Sequence, residues 1–343
     1  MNPPYGRVRL DAADRKRFAR SLYGHANLYG IFMAAAVDCL DEGGVLSALV
    51  PTSFTAGRYF EPLRRVLSTR MRLREVDFVA DRSGVFTSVL QETCLATFTS
   101  RRTRHVTVNS IGSQVSYVAT IASPATSRPW VLPRRSDLAP VAAAAASLPW
   151  SLADAGWRVS TGPLVWNRRK ADLYPRPAAN RHYVVWAADL DGGQLHRDSA
   201  RSAYRYMALN SAADRNTMLI DEPCVLVQRT TSPEQARRLV AAELTAEWLR
   251  GVRGAVVVEN HVNVLRPSRP SPAISRSLLT RLLATETLDK LMRCISGSVA
   301  VSAYELESLA LPDLATLGSW EKLPPDVLEV AVTRAYLPAE GYR

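Results

Sequence analysis

The sequence predicts an α/β protein, and three runs in its first third carry that expectation. In residues 27–51, Leu28, Phe32, Ala36, Val37 and Leu40 recur at helical spacing, Gly43-Gly44 ends the helix, and the apolar run Val45 to Val50 closes at Pro51. A helix feeding a buried strand is the expected result. The unit then recurs: an amphipathic stretch from Phe60 with Leu63, Val66 and Leu67 leads into the alternating run Leu73 to Ala80. A third apolar run, Thr93 to Phe98, follows a loop spanning 81–91. Strands alternating with helices indicate a sheet with helices on its faces.

Beyond the sheet the pattern changes. Arg101 to Arg104 ends it, His105 to Ser110 adds a further strand, and Ser123 to Pro140 is rich in Pro, Ser and Arg ahead of the alanine run Ala142 to Ala146. Residues 123–150 therefore read as a linker with some helix near the alanines. From 151 to 315 the pattern is α+β: short strands at 157–160, 183–186, 224–228, 255–258 and 262–265, then helices at 274–284 and 287–295. A tail follows, residues 316–343, with Pro324-Pro325 ahead of a short amphipathic helix from Asp326 to Tyr336. No internal repeat is evident.

At 343 residues the chain can bury at least one sizeable core. Its formal charge of +11 suits a polyanionic partner, but lysine occurs only at Lys16, Lys170, Lys290 and Lys322. The remaining cations are arginine in an alanine- and valine-rich chain, as a G+C-rich coding sequence produces, so charge serves only as support. With no signal peptide and no long uncharged apolar run, a cytoplasmic protein without membrane partners is expected. Cys39, Cys94, Cys224 and Cys294 lie far apart with no matching histidine cluster, which indicates neither zinc nor disulfides.

The most informative residues are Asn2-Pro3-Pro4-Tyr5-Gly6. An exocyclic amine is a poor nucleophile because its lone pair is delocalised into the ring. Acceptors on both of its N–H groups pull the nitrogen toward tetrahedral geometry and free that pair for attack on a methyl group. The Asn2 side-chain oxygen and the Pro3 carbonyl are candidate acceptors, and Pro3 and Pro4 hold the turn rigid. Tyr5 offers a flat face for an unstacked base. Asn-Pro and Pro-Pro pairs are also turn signals in their own right, so the segment taken alone reads equally as a surface turn.

The order NPPYG, NLYGIF, GGVLSALVP, GVFTSVLQETCLATF over residues 2–98 resembles the second half of the catalytic domain of the gamma-class adenine-N6-specific DNA methyltransferases, the TaqI-, PaeR7I- and Eco57I-like group. Residues 157–170, 222–244, 259–265 and 296–312 resemble the target-recognition domain of the same enzymes, so the likeness covers nearly the whole chain. It implies a partial Rossmann-like sheet over 1–122, a target-recognition domain over 151–315, and methyl transfer from S-adenosyl-L-methionine to N6 of an adenine flipped out of double-stranded DNA, in restriction-modification or phage defence. Carried over residue by residue, it makes Asn2 and Pro3 the acceptors for the amine, Tyr5 one stacking face, and Phe86 the aromatic that closes on the base from another side. Phe32 falls where a residue packs near the adenosyl part of the cofactor. Phe86 could instead cap the sheet, and Phe32, on an apolar stripe, could be core.

DNA contacts are expected at Arg168-Arg169-Lys170, at Arg229-Thr230, and at His261 and Asn263, where cations suit phosphates and Asn or Arg forks suit base edges. For each cluster a solvated face is the competing reading. None of the five histidines is needed as a general base, since the methylated nitrogen loses its proton to water; His261 is expected to be structural or DNA-facing.

The departure from the family is at the front. Its glycine-containing cofactor loop and ribose-binding acid lie upstream of the NPPY motif, and neither Gly192-Gly193 nor Gly251 to Gly254 has the strand-then-helix context that would substitute. The chain alone is therefore expected neither to bind the cofactor tightly nor to methylate DNA. The missing half would be encoded upstream, behind a late start or a frameshift, or supplied by a second polypeptide. An exposed hydrophobic edge is expected along Val45 to Val50. Two rival functions remain at this point: a motif of this kind also serves methyltransferases acting on RNA amines or protein glutamines, and the chain could be a non-catalytic DNA-binding fragment.

Overall fold

The structure, a computed structural model, describes residues 1–79, 92–197, 203–231, 235–297 and 300–337. The chain forms two compact units, Met1–Leu148 with Lys290–Ser298, and Pro149–Asp289 with Val299–Arg343.

The first unit is built on a five-stranded sheet in the spatial order Val45–Pro51, Thr93–Thr99, Arg72–Val79, His105–Ile111, Val115–Ala122. Thr93–Thr99 runs antiparallel to both neighbours, whereas Arg72–Val79 and His105–Ile111 are parallel. The register Leu46↔Phe98, Ala48↔Ala96, Val50↔Cys94 aligns residues of one parity, all buried, which is what period-two alternation requires of a packed face. The helix Leu28–Asp38 buries Tyr29, Met33, Ala34 and Val37, and the helix Glu61–Arg70 buries Leu63 and Leu67. Val115–Ala122, which no sequence signal announced, completes the sheet.

Arg64 is fully buried in this unit. It replaces its hydration with three backbone carbonyls, donating to Phe54, Gly57 and Ser127 at 2.8, 2.8 and 2.9 Å. The last of these ties in the segment read as a linker. Trp130, Leu132, Val141 and Ala142 in that segment are buried, and the Trp130 and Leu132 amides donate to Thr55 and Cys294 carbonyls.

Among the described residues the second unit holds two larger sheets besides two two-stranded pairings. One is an antiparallel four-stranded sheet in the order Ala241–Leu244, Cys224–Gln228, Val262–Pro267, Trp157–Thr161. The other is a mixed five-stranded sheet in the order Leu173–Tyr174, Tyr206–Ala208, Arg181–Val185, Val256–Val258, Leu219–Ile220. The helices Arg276–Leu283, Leu314–Ser319 and Pro325–Tyr336 are among those of this unit, and the last buries Leu328, Val332 and Tyr336. A mixed α/β architecture is thus established. Deep in this unit Arg205 pairs with Asp189 at 3.0 Å, both essentially unexposed, and Asp189 also accepts the Trp186 amide at 2.9 Å. Burial, ahead of the nearby Asp189 charge, raises the Tyr183 phenol beside them to about 12.

No helix among the described residues is long and apolar enough to cross a membrane. Cys94, Cys224 and Cys294 are buried and Cys39 is exposed; burial raises the Cys224 and Cys294 thiols to about 12.

Candidate functional site

The N-terminal motif sits at the carboxyl end of the Val45–Pro51 strand. The Met1 nitrogen donates to the Ser47 carbonyl at 2.6 Å and the Leu49 amide returns a bond to the Met1 carbonyl at 3.0 Å, the pattern of a parallel ladder along that strand's outer edge. The edge expected to be open is therefore partly paired, although Val45 remains 48% exposed. The chain then passes the strand's end, the side of an α/β sheet where ligands bind. Tyr5 fixes the turn: its hydroxyl donates to the Leu49 carbonyl at 3.0 Å. Burial raises the Tyr5 phenol above its ordinary range, so it stays a protonated donor.

Behind the turn lies an aromatic ladder. Tyr5 meets Tyr29 edge-on at 6.2 Å, and Tyr29 stacks on Phe60 at 4.9 Å while bonding Ser53 through its hydroxyl at 2.8 Å. Gly6 adopts φ +125, a conformation that favours glycine, and its carbonyl accepts the Leu28 amide, an otherwise unpaired donor at the start of the Leu28–Asp38 helix. What this scaffold leaves unpaired is the informative part. The exposed Asn2 side chain and the carbonyl of Pro3, a residue otherwise buried, accept no hydrogen bond from the described residues. Two acceptors held on a rigid turn, beside a half-buried aromatic, can take both protons of a planar amine.

Phe32 faces solvent on its helix at 45% exposure rather than entering the core, which leaves its ring available for contact. Phe86 lies outside the described residues. The strand Arg72–Val79 ends, and the strand Thr93–Thr99 begins, at the same end of the sheet as the Asn2–Tyr5 turn.

In the second unit the expected DNA-facing residues divide. Arg168 and Lys170 are exposed, the latter 5.0 Å above the Trp166 ring, which packs on Trp186 and Tyr204. Arg169 between them is committed elsewhere. It bonds Asp172 at 2.6 Å and Asp214 at 3.0 and 3.2 Å, which raises its own affinity for the proton and holds Asp214 below the usual carboxylate range. As an internal anchor flanked by two carboxylates, it is a poor phosphate ligand. Asn263 is a second correction: it is fully buried in its strand and donates to the Val301 carbonyl at 2.8 Å, so no base edge can reach it.

Arg229, Thr230 and His261 do come together, because Gln228 pairs with Val262 and places the two strand ends side by side. The Arg229 amide donates to the His261 carbonyl at 2.7 Å and its guanidinium to Asn260 at 3.3 Å. Sequence reasoning passed over Glu259. Its buried carboxylate accepts from the His261 amide at 2.8 Å and sits 2.7 Å from His261 Nδ1, while the His261 ring is 46% exposed. The residue is two places from the histidine in ENHVNVL, a spacing that signals nothing until the turn is formed.

Comparison with known proteins gives four matches. Residues 1–86 match the Eco57I restriction-modification methylase family. The chain is 25% identical over 337 residues to the type II methyltransferase M.BsuBI of Bacillus subtilis, covering 93% of this chain and 66% of that protein. It is 26% identical over 326 residues to the type II methyltransferase M.PstI of Providencia stuartii, covering 91% and 64%. The chain thus spans just under two thirds of the length of these curated relatives. Its fold resembles that of the type IIL restriction-modification enzyme MmeI, solved in complex with DNA, with TM-score 0.51, 11% identity and coverage of 98% of this chain and 52% of that one. The protein is accordingly similar to restriction-modification methyltransferases over most of its length, its match to the methylase family model lying over the residues that build the Asn2–Tyr5 turn.

Proposed function

We propose that this chain forms part of a site-specific, gamma-class DNA methyltransferase that acts on N6 of an adenine flipped from the duplex, in the cytoplasm and in the service of restriction-modification. The observation that carries the reading is the pair of acceptors at Asn2 and Pro3, left without partners among the described residues on a turn that the Met1 and Tyr5 bonds to Leu49 hold in place. On this reading the Asn2 oxygen and Pro3 carbonyl accept the two N6 protons, Pro3 and Pro4 keep the carbonyls from rotating away, and the Tyr5 ring covers one face of the base. Phe86 would close the other face. Flipping costs a few kcal/mol of stacking and pairing, which these contacts offset. In the second unit, Arg168, Lys170, Arg229, Thr230 and His261 would contact DNA, with Arg169 and Asn263 maintaining the fold.

S-adenosyl-L-methionine would supply the methyl group, and the described residues do not by themselves fit its adenosyl part. The turn after the Val45–Pro51 strand enters the helix Ser53–Ala56 without a glycine, and Gly43, at φ +80, lies at the strand's opposite end. We therefore assign the adenosyl cradle to sequence outside the described residues, and the isolated chain to the inactive state. Phe32 could border that cradle.

The test is N6-methyladenine formation on plasmid DNA, measured by mass spectrometry of nucleosides. The chain is assayed alone and joined to any in-frame coding sequence upstream, with Asn2→Ala as control. Methylation by the joined form, lost in Asn2→Ala, is expected; methylated cytosine, RNA or protein instead would refute it. The poor fit to the adenosyl group favours a second reading, a DNA-binding fragment without catalysis. Sequence-selective DNA binding that survives Asn2→Ala, with no methylation in any combination, would establish it.

A further inference from the structure

Four exposed side chains that methyl transfer does not use lie together at the same end of the first unit's sheet. The Tyr23 and Tyr59 rings are 6.2 Å apart, His25 is 5.9 Å from Tyr59, and the Arg58 guanidinium sits 5.3 Å from the Tyr23 ring centre. Tyr23 and Tyr59 are 46% and 48% exposed, an unusual cost for two large rings in one place. The cluster is built into the backbone. Gly24, at φ +63, lies under Tyr59 so closely that a Cβ there would stand 2.7 Å from Tyr59 Cε1, and its carbonyl accepts Arg15 Nη2 at 3.0 Å.

Charge and position indicate the occupant. The segment from Arg7 to His25 carries Arg7, Arg9, Arg15, Lys16, Arg17 and Arg20 against only Asp11 and Asp14. Among the described residues Arg20 alone of these cations has an ion pair, with Asp38. Asp11 is occupied in capping the helix Ala12–Arg17. Tyr59 follows the Val45–Pro51 strand through the helix Ser53–Ala56, and its neighbour Phe60 belongs to the ladder that runs through Tyr29 to Tyr5. Exposed rings interleaved with cations suit stacking on unpaired bases while arginines hold the phosphates.

We propose that the Tyr23–His25–Arg58–Tyr59 platform binds DNA beside the reacting base, its rings stacking on a nucleotide displaced from the duplex and its cations holding the adjoining phosphates. This rests on the DNA reading given above. The experiment measures fluorescence anisotropy of the whole chain on two labelled DNAs, a paired duplex and the same duplex with a short central bubble. The double variant Tyr23→Ala/Tyr59→Ala is expected to bind the bubble about tenfold more weakly, with paired-duplex affinity within about twofold of the parent. Tyr23→Phe/Tyr59→Phe keeps the rings and retains binding. Arg58→Glu, a surface change, weakens both DNAs.

Equal binding of the bubble by the alanine variant and the parent overturns the proposal, and so does equal loss in the phenylalanine variant. If the parent binds neither DNA, the DNA reading itself fails. Parent binding that depends on Arg168 and Lys170 but is indifferent to the tyrosines removes the platform alone. A change in sedimentation of the alanine variant with DNA binding intact would assign the patch to a second copy of the chain and also overturn it. Melting followed by circular dichroism confirms that each variant is folded.

Discussion

The turn at Asn2–Tyr5 and the surface around His261 are anchored in opposite ways and present opposite chemistry. The first is held by hydrogen bonds that Met1 and Tyr5 make with backbone groups of one strand edge, and it leaves the Asn2 oxygen and the Pro3 carbonyl without partners among the described residues. The second is held by a buried carboxylate, Glu259, and it leaves a half-exposed imidazole beside the partly exposed Arg229. An acceptor pair on a rigid turn suits the N–H groups of one planar amine. Cations on a carboxylate-braced sheet end suit a polyanion. The difference teaches that backbone hydrogen bonding suffices to fix a turn, whereas a half-exposed imidazole is fixed by a buried carboxylate.

The largest effect should come from the buried charge in the second unit. Asp189→Asn leaves Arg205 buried without its counter-charge, and urea unfolding should show a loss of about 3–5 kcal/mol. An unchanged midpoint would show that buried charge does not brace this unit. Asn2→Ala should do the reverse. In a methylation-competent form it should cut the rate about 10²- to 10³-fold, as removal of one transition-state hydrogen-bond partner does, and shift the melting temperature little because the side chain is exposed. A large thermal shift with a small rate loss would make Asn2 a structural residue and collapse the contrast.

Arg168→Ala with Lys170→Ala should weaken DNA binding and lower the slope of log affinity against log salt by about 1–2. Arg169→Ala should instead lower stability, since its two aspartates lose their partner. Identical salt slopes for all three substitutions would erase the distinction drawn between surface and anchor.

The smallest effect concerns pH. Hydrogen bonds from Arg169, from Arg135 and from the Thr316 amide hold Asp214, Asp137 and Asp313 respectively below the ordinary carboxylate range. Carboxylates with a lowered folded-state pKa contribute stability fully above the unfolded value of about 3.9, and that contribution is lost as pH falls through the depressed values. Melting temperature should therefore hold from neutrality to about pH 5 and decline below about pH 4, and a maximum below pH 4 would contradict the sign.

Much of the first unit was readable in the sequence. The strand from Val45 and the strand at Thr93 stand within one residue of where apolar spacing puts them, and the helix expected over 60–73 runs Glu61–Arg70, because a period of two or of 3.6 is a local property. Residues 123–148 were not readable. Their Pro, Ser and Arg content signals a linker, yet Trp130 and Leu132 are core residues whose amides bond to Thr55 and Cys294, partners far away along the chain. The two-residue strands of the second unit were also silent, being too short to show any period.

By itself the sequence determined which groups are available: acceptors and an aromatic at Asn2–Tyr5, apolar runs of the right period for a sheet, and cations clustered near Trp166 and at Arg229. Tertiary structure decided which of them face outward. Arg169 and Arg168 are adjacent and chemically identical, but Asp172 and Asp214 satisfy only the first; His261 lies in the turn just before the strand that buries Asn263, and only the histidine reaches solvent. Type and spacing are written along the chain, whereas availability depends on partners that only folding brings within hydrogen-bonding distance.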